Sequence, residues 1–254
     1  TSATAQIGIG TGSGLLSVEV IQNAIGVWEN SGDVYVGGSN SGPEASGDLR
    51  INDEHSRGDI GGTLTVWGPG TVRINSGEFE VDVVDHTHGG AFEFNAGTLR
   101  VNRFDGDLLN PAGTLAPGVD SDTAATLIDG NYTQQSGGTL ALDIGGTGPG
   151  STHDLVTITG DAQIDGLLEL SLVNGFAPNA AAEFTVLAAG SLIGFFDNVN
   201  TGQRLGTLDG GGSFAVHYGI GSAFDENRII LSDFLAAVTI SSDYNNDGTV
   251  NAAD

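Results

Sequence analysis

The sequence contains no cysteine. It therefore has no disulfide framework, no thiolate metal site and no cysteine nucleophile. It also lacks long apolar runs, because no stretch approaches the roughly 18 apolar residues that a membrane-spanning helix needs. These absences exclude a disulfide-stapled scaffold and an integral helical membrane protein.

Basic residues are scarce, with 7 Lys and Arg against 32 Asp and Glu, and all of the basic residues are arginine. The formal net charge of -25 repels phosphate backbones and anionic lipid headgroups, so we expect no nucleic-acid partner and no membrane insertion. Such a surface stays soluble in saline water and attracts divalent cations. The acidity therefore suits a solvated exterior, and dedicated calcium sites are the alternative.

Proline is also rare, with 6 residues, whereas glycine contributes 42. Collagen requires abundant proline and a strict glycine period, and neither is present. A hydrophobic fraction of 39%, arranged in short alternating runs, does not fit disorder. A glycine-rich chain of this kind needs many tight turns between short strands, which indicates β structure.

A Gly-Thr-Leu triplet recurs along the chain, and each of its leucines begins, or nearly begins, a period-two apolar pattern that points into a core. The first four threonines are separated by 35, 16 and 25 residues (63 to 98, 98 to 114 and 114 to 139). These intervals bracket the ~20–25 residues of one β-solenoid coil. The triplets occupy residues 62–64, 97–99, 113–115, 138–140 and 206–208.

Further strands show the same alternation and are separated by glycine- and asparagine-rich turns. No segment has a helical apolar stripe over three turns, so we expect no long helices. The predicted strands cover residues 34–36, 48–51, 71–74, 79–83, 91–94, 154–158, 167–172, 184–187 and 228–231.

Two architectures accommodate many short strands, a parallel β-helix and an antiparallel sandwich. The recurring triplet favours the β-helix, or β-solenoid, for residues 1–120, because one coil cannot bury its apolar face without a neighbour. Residues 121–238 have looser spacing and predict a β-rich, sandwich-like cap, with the boundary near Asp120. The aromatic residues that suggest this cap are Phe176, Phe184, Phe195, Phe196 and Phe214.

Residues 113–200, about a third of the chain, contain an ordered series of short segments. They read GTLAPG at 113–118, GNYTQ at 130–134, GTLALDIGG at 138–146, HDLVTITG at 153–160, NGFAP at 174–178 and GFFDNV at 194–199. This series resembles the C-terminal passenger region of bacterial autotransporter and PEP-CTERM-type adhesins. The resemblance implies a right-handed parallel β-helix with an adhesive or scaffolding role outside the cell.

Residues 239–254 are the third predicted region, a C-terminal calcium loop. The last twelve residues, 243–254, form an oxygen-rich loop that reads DYNNDGTVNAAD. An EF-hand-like loop binds Ca²⁺ through positions 1, 3, 5, 7, 9 and 12, with glycine at position 6. This loop resembles the first calcium loop of a type I dockerin, and an ordinary polar tail is the alternative. The sequence stops at the twelfth position, before the helix and second loop of a dockerin, so we expect weak affinity and no cohesin binding. The predicted ligands are Asp243, Asn245, Asp247, Thr249 through its carbonyl, Asn251 through water, and Asp254.

Other short motifs are weaker. His86 and His88 would share one face of a strand, with Glu54 and His55 as further ligands, and exposed loop histidines are the alternative. Residues 57–59, Arg-Gly-Asp, match an integrin-recognition tripeptide or arise by chance. The glycines spaced through residues 8–14 do not predict a dinucleotide loop, because a strand at 15–20 follows them.

Catalytic patterns are equally sparse, and we predict no enzyme and no catalytic or cofactor-binding residue. One alternative is a polysaccharide lyase or hydrolase with a β-helix fold, because such enzymes place Asp clusters beside Arg or Lys on one face. A second alternative is a paired-carboxylate glycosidase, since a chain with 32 acidic residues always contains carboxylate pairs. Trp28, Tyr35 and Trp67 could serve as aromatic platforms on which sugars stack, and the alternative is that they pack in the core. The residues able to converge in a lyase-like cluster are Asp82, Asp85, Arg100, Arg103 and Asp105.

The sequence as a whole predicts a secreted, non-catalytic structural or adhesive protein of the bacterial cell surface or matrix. Thr1 and the small residues after it resemble a mature N-terminus. An open edge at residues 6–20, with residues 1–14 as a donor arm, predicts self-association into oligomers or filaments by strand addition. The alternatives are a carbohydrate-binding module and a β-helix polysaccharide lyase or hydrolase.

Overall fold

The computed structural model describes residues 2–7, 16–20, 27–119 and 123–237, with side chains from residue 27 onward. These residues form strands and turns without a helix, so the described chain is all-β. It accordingly offers no helix with the length and hydropathy of a membrane span. Eight of the nine strands predicted from alternation lie within strands of the structure, and the ninth, 154–158, begins one residue before the observed strand.

The first strands of the chain are β1 (Ser2–Ile7), β2 (Leu16–Val20), β3 (Val27–Val36), β4 (Gly38–Ser39), β5 (Gly42–Pro43), β6 (Gly47–Ile51), β7 (Arg57–Val66), β8 (Gly70–Ile74), β9 (Glu78–Asp85), β10 (Ala91–Phe94), β11 (Thr98–Asp105) and β12 (Leu108–Asn110). The remaining strands are β13 (Thr114–Pro117), β14 (Ala125–Asp129), β15 (Tyr132–Gln134), β16 (Thr139–Ile144), β17 (Leu155–Ile158), β18 (Asp161–Ile164), β19 (Leu167–Leu172), β20 (Phe184–Ala188), β21 (Ser191–Gly194), β22 (Arg204–Gly206), β23 (Gly212–His217) and β24 (Arg228–Ala236).

Most of these strands pair in parallel with the equivalent strand of the next layer along the chain. The long strands β1, β3, β7, β9 and β11 stack in that order. The ladder then divides, because the first half of β11 pairs with β13 and its second half pairs with β14. From there β13, β16 and β19 continue one ladder, while β14, β17 and β20 continue the other.

The remaining parallel strands form two further sheets, ordered β2-β6-β8-β10 and β12-β15-β18-β21. Each of their strands follows one of the long or divided strands in the chain. The predicted boundary near Asp120 falls between β13 and β14, which both pair with β11. Parallel pairing therefore extends beyond that position, as far as β20 and β21.

The core consists of rows in which one inward side chain stacks on the next. Along one row the register aligns Val34, Leu64, Val84, Phe104, Ile128 and Ile158, which are all buried. Burying an aliphatic or aromatic side chain of this kind contributes about 1.5–3 kcal/mol. Each layer thus covers the apolar face of its neighbour.

Four of the five triplet leucines are buried as predicted, namely Leu64, Leu99, Leu115 and Leu140. The prediction is wrong for the fifth, because Leu208 is 66% exposed. Gly206 ends β22 instead of preceding a strand, and the chain turns there through a hydrogen bond from the Gly210 N–H to the Thr207 carbonyl. Leu208 therefore lies in a hairpin turn, where no neighbouring layer covers it.

The corners between strands are closed by short side chains and tight turns. At one corner the Asn75 amide donates to Asn52 at 2.7 Å, and the Asn95 amide donates to Asn75 at 2.9 Å. Gly97 follows this ladder with φ +77°, and a Cβ there would lie 2.6 Å from the Gly77 carbonyl oxygen. Stacked corners of this kind leave no space for a larger residue.

The C-terminal part of the described chain is antiparallel. Strand β24 pairs with β20, β23 with β24, and β22 with β23. The last parallel strand, β19, is covered differently, because the Asn198 side chain bonds both the N–H and the carbonyl of Leu168. Leu208 N–H donates to the Leu170 carbonyl, and so this end of the sheet has few open backbone groups.

Candidate functional site

The predicted calcium ligands lie outside the described residues. Asp243, Asn245, Asp247, Thr249, Asn251 and Asp254 all belong to the segment after residue 237. Within the described ranges, no group of three or more His, Asp or Glu side chains is placed to hold a metal ion. The calcium loop remains a prediction from the sequence.

The two histidines of the His-x-His motif do not share a strand face. Strand β9 ends at Asp85, so His86 and His88 belong to the turn that follows it. The His86 Nε2 lies 2.8 Å from the Gly90 carbonyl oxygen, whereas the His88 Nε2 lies 3.0 Å from the Asp85 carboxylate. The loop alternative is therefore correct, and the two rings engage different partners.

Only part of the lyase-like cluster comes together. On β11, Arg103 bonds Asp105 at 2.6 Å, and the register places Asp105 beside Asp85 of β9. Arg103 also bonds Asp129 at 3.0 Å, whereas Arg100 bonds Glu78 at 2.8 Å. Asp82 instead accepts a hydrogen bond from Asn102 at 2.8 Å. These pairs connect successive layers in rows, because parallel register places equivalent positions beside each other.

The Arg-Gly-Asp tripeptide lies inside strand β7 and not in an exposed loop. Arg57 bonds Glu80 at 2.5 Å, on the adjacent strand. Gly58 is buried, and a Cβ there would lie 2.8 Å from Phe79 Cδ2. The tripeptide therefore serves the packing of the core, and integrin-type presentation is wrong.

The aromatic side chains proposed as sugar platforms are partly covered. Trp67 donates to the Ser39 carbonyl at 3.0 Å, and the His88 ring stacks on it at 4.2 Å between centroids. Trp28 packs against the core, and the Tyr35 hydroxyl donates to Asp33 at 3.4 Å. Core packing is thus the better description of Trp28.

A groove that the sequence reading missed lies on the outer face of the β12-β15-β18-β21 sheet. Its volume is about 340 Å³, and outward side chains of four successive strands form its floor. The register aligns Leu109 with Thr133, Thr133 with Gln163, and Gln163 with Ile193. The sequence does contain a signal for this groove, namely a three-residue pattern that occurs at 107–109, 131–133 and 161–163. In each copy, an acidic or amide residue is followed by an apolar residue and then by a residue that points outward.

One wall of this groove is a ladder of Asp and Asn residues at the preceding corner. Asp107 accepts hydrogen bonds from the Asn131 backbone N–H at 2.8 Å and from its side-chain amide at 3.0 Å. The Asn131 side-chain oxygen accepts from the Asp161 N–H at 2.9 Å. These bonds hold the Asp107 carboxylate and the backbone of Asp161, and both residues are exposed along the groove.

A second unusual group is Asp154, which is 2% exposed. Its two carboxylate oxygens accept from the Ala124 N–H at 2.7 Å and from the Asp143 N–H at 2.8 Å, which connects the start of β14 to β16. Burial raises the pKa of Asp154 to about 7, against the effect of these hydrogen bonds. Asp154 is enclosed by the protein, so we assign it a structural role.

Asp154 makes stability depend on pH. Because its pKa is higher in the folded protein than in the unfolded chain, the folded state holds the extra proton between about pH 4 and 7, and stability falls as the pH rises. Between pH 4 and pH 8, we expect the free energy of unfolding of the wild type to fall by about 2–4 kcal/mol more than that of Asp154→Asn. Urea titrations across this range measure the difference.

The matched control is Asp161→Asn, at an exposed position, which should keep the wild-type dependence on pH. Comparison with a variant is needed because His153 acts in the opposite direction. Burial lowers the pKa of His153, so its contribution to stability rises with pH up to about 6.5. Parallel pH profiles for the wild type and Asp154→Asn would contradict the prediction.

Comparisons with known proteins found no similar chain. A scan against protein-family models gave no match. Searches of the curated proteins and of the solved structures also gave none.

Proposed function

We propose that this chain is a right-handed parallel β-helix that serves as a secreted, non-catalytic scaffold or adhesin of the bacterial cell surface or matrix. The observation that carries the proposal is the set of parallel ladders that continue in register from layer to layer around one core. Right-handedness follows from general chirality, because about 98% of parallel crossover connections are right-handed. The sequence resemblance to bacterial adhesins points in the same direction.

The charged side chains support a scaffolding role. Arg73 bonds Asp48 at 2.8 Å and Glu93 at 2.8 Å, on the two neighbouring strands. Asp48 is nearly buried, and its pKa is lowered because hydrogen bonds and charges from Arg50 and Arg73 outweigh the effect of burial. Arginines and carboxylates that neutralise each other between layers stabilise the stack and are not free for catalysis.

Self-association is proposed at the N-terminal layer. Within the described residues, β1 pairs with β3 and β2 pairs with β6, each along one edge. At the opposite end of the stack, β24 covers β20 and Asn198 covers β19. Growth of a filament would need both ends, so we propose that strand addition joins two N-terminal layers in a closed pair.

Two measurements test the scaffold proposal. Sedimentation and electron microscopy, with and without a chelator, should show discrete particles, with a dimer as the largest stable species; monomers under all conditions would reject the strand addition. Incubation with polysaccharides should release neither reducing ends nor unsaturated products. Product formation that Asp82→Ala abolishes would overturn the non-catalytic role.

We also propose that residues 243–254 bind Ca²⁺ through hard oxygen ligands at the six predicted positions. Tb³⁺ can replace Ca²⁺ in such loops, and Tyr244 lies beside the first ligand, where it can sensitise terbium luminescence. We expect luminescence that Ca²⁺ displaces and that Asp247→Ala reduces about tenfold or more. Equal luminescence from Asp233→Ala and Asp247→Ala would show that the signal arises from the acidic surface in general.

A further inference from the structure

The groove on the β12-β15-β18-β21 sheet has polar groups that the fold does not use. Within the described residues, neither the Thr133 hydroxyl nor the Gln163 amide has a hydrogen-bond partner, although both line the groove. The ends of the floor are aliphatic, with Leu109 50% exposed and Ile193 55% exposed. Hydrogen-bonding groups therefore lie between two apolar surfaces.

The length of the floor also limits the ligand. Neighbouring strands lie about 4.8 Å apart, so four side chains in register extend over roughly 14 Å across the sheet. A row of this length matches a short segment of an extended polymer that lies across the strands. The groove is open at the surface and does not enclose a reacting group.

The mixture of hydrogen-bonding groups favours sugars over basic peptides. Hydroxyl groups both donate and accept, and the groove offers the Gln163 amide and the Thr133 hydroxyl together with two carboxylates. A lysine-rich peptide would use only the carboxylates of the groove. One of these, Asp107, is already engaged, because it accepts two N–H groups of Asn131. The apolar ring faces of sugars suit the exposed Leu109 and Ile193 side chains.

The charge of the groove excludes one class of sugar polymer. Asp107 and Asp161 line the wall, and the chain as a whole carries a formal net charge of -25. Uronate and sulfated polysaccharides would be repelled, because unpaired like charges at an interface are unfavourable. We propose that this groove binds a neutral polysaccharide, which deepens the proposed adhesive function and depends on it.

Affinity electrophoresis in native gels tests the proposal. Glucomannan, hydroxyethylcellulose and laminarin serve as neutral polymers, alginate serves as the acidic polymer, and a lysine-rich peptide competes. We expect at least one neutral polymer to retard the protein and alginate to have no effect. Gln163→Ala should weaken retardation about three- to tenfold, since one hydrogen bond is lost, and Thr133→Arg should abolish it by filling the groove.

The matched control is Thr157→Ala, on the outer side of β17 and away from the groove, which should bind as the wild type does. The proposal would be overturned if none of the neutral polymers retarded the protein. It would also be overturned if the wild type and Thr133→Arg were retarded equally. Binding of the lysine-rich peptide alone, with loss in Gln163→Ala, would overturn it in favour of a basic peptide. If the protein neither cleaves nor binds polysaccharides, only the proposed role of the groove is rejected. If it cleaves them, the scaffold role is rejected.

Discussion

Replacement of Phe79 by alanine should lower the free energy of unfolding by about 3–5 kcal/mol. The ring is fully buried and lies in register between Gly58 on β7 and Leu99 on β11. Gly58 has no side chain that can move into the space, and its backbone is held by strand pairing. The cavity left by Phe79→Ala should therefore stay largely unfilled.

The control is Phe195→Ala, because Phe195 is 57% exposed and follows strand β21. We expect that substitution to change stability by less than about 1 kcal/mol. Urea denaturation of both variants, followed by tryptophan fluorescence, measures the comparison. A similar loss in the two variants would show that Phe79 does not occupy the space between layers.

Replacement of Gln134 by leucine should lower the free energy of unfolding by about 2–4 kcal/mol. Its buried amide donates to the Asp165 carbonyl at 2.5 Å and to the Leu167 carbonyl at 3.0 Å, in the layers that follow. Its side-chain oxygen accepts from the Tyr132 hydroxyl at 2.9 Å. Leucine has a similar size, but it would leave these buried polar groups without a partner.

The neighbouring glutamine provides the control, since Gln135 is exposed while Gln134 is buried. Gln135→Leu should change stability by about 0.5 kcal/mol or less. Thermal and urea unfolding of the two variants give the comparison directly. If Gln134→Leu proved as stable as Gln135→Leu, the hydrogen bonds between layers would contribute nothing.

Much of the fold could be predicted because strand alternation is a local property. Leu99 and Val101 lie two residues apart with turn residues before them, and both are fully buried. The same reasoning failed at Leu208, where an identical triplet lies in a hairpin turn. A triplet predicts a buried strand only when a neighbouring layer covers it, and that neighbour is not visible in the local sequence.

The candidate site was harder to predict for a related reason. The groove contains ordinary outward residues such as Thr133 and Gln163, which have no motif of their own. They meet because strands about 30 residues apart in sequence pair in register. Conversely, His86 and His88 form a motif in the sequence, yet the turn directs them to different partners.

The sequence alone determined the all-β class, many of the strand positions and the acidic, cysteine-free composition, because composition and period-two alternation depend on nearby residues. Only the tertiary structure decided that Gly58 lies beneath Phe79, that Asp154 is buried, and that Thr133 and Gln163 line one groove. These relations depend on the register between distant strands. That register is set by packing of the whole core, so no short segment of the sequence specifies it.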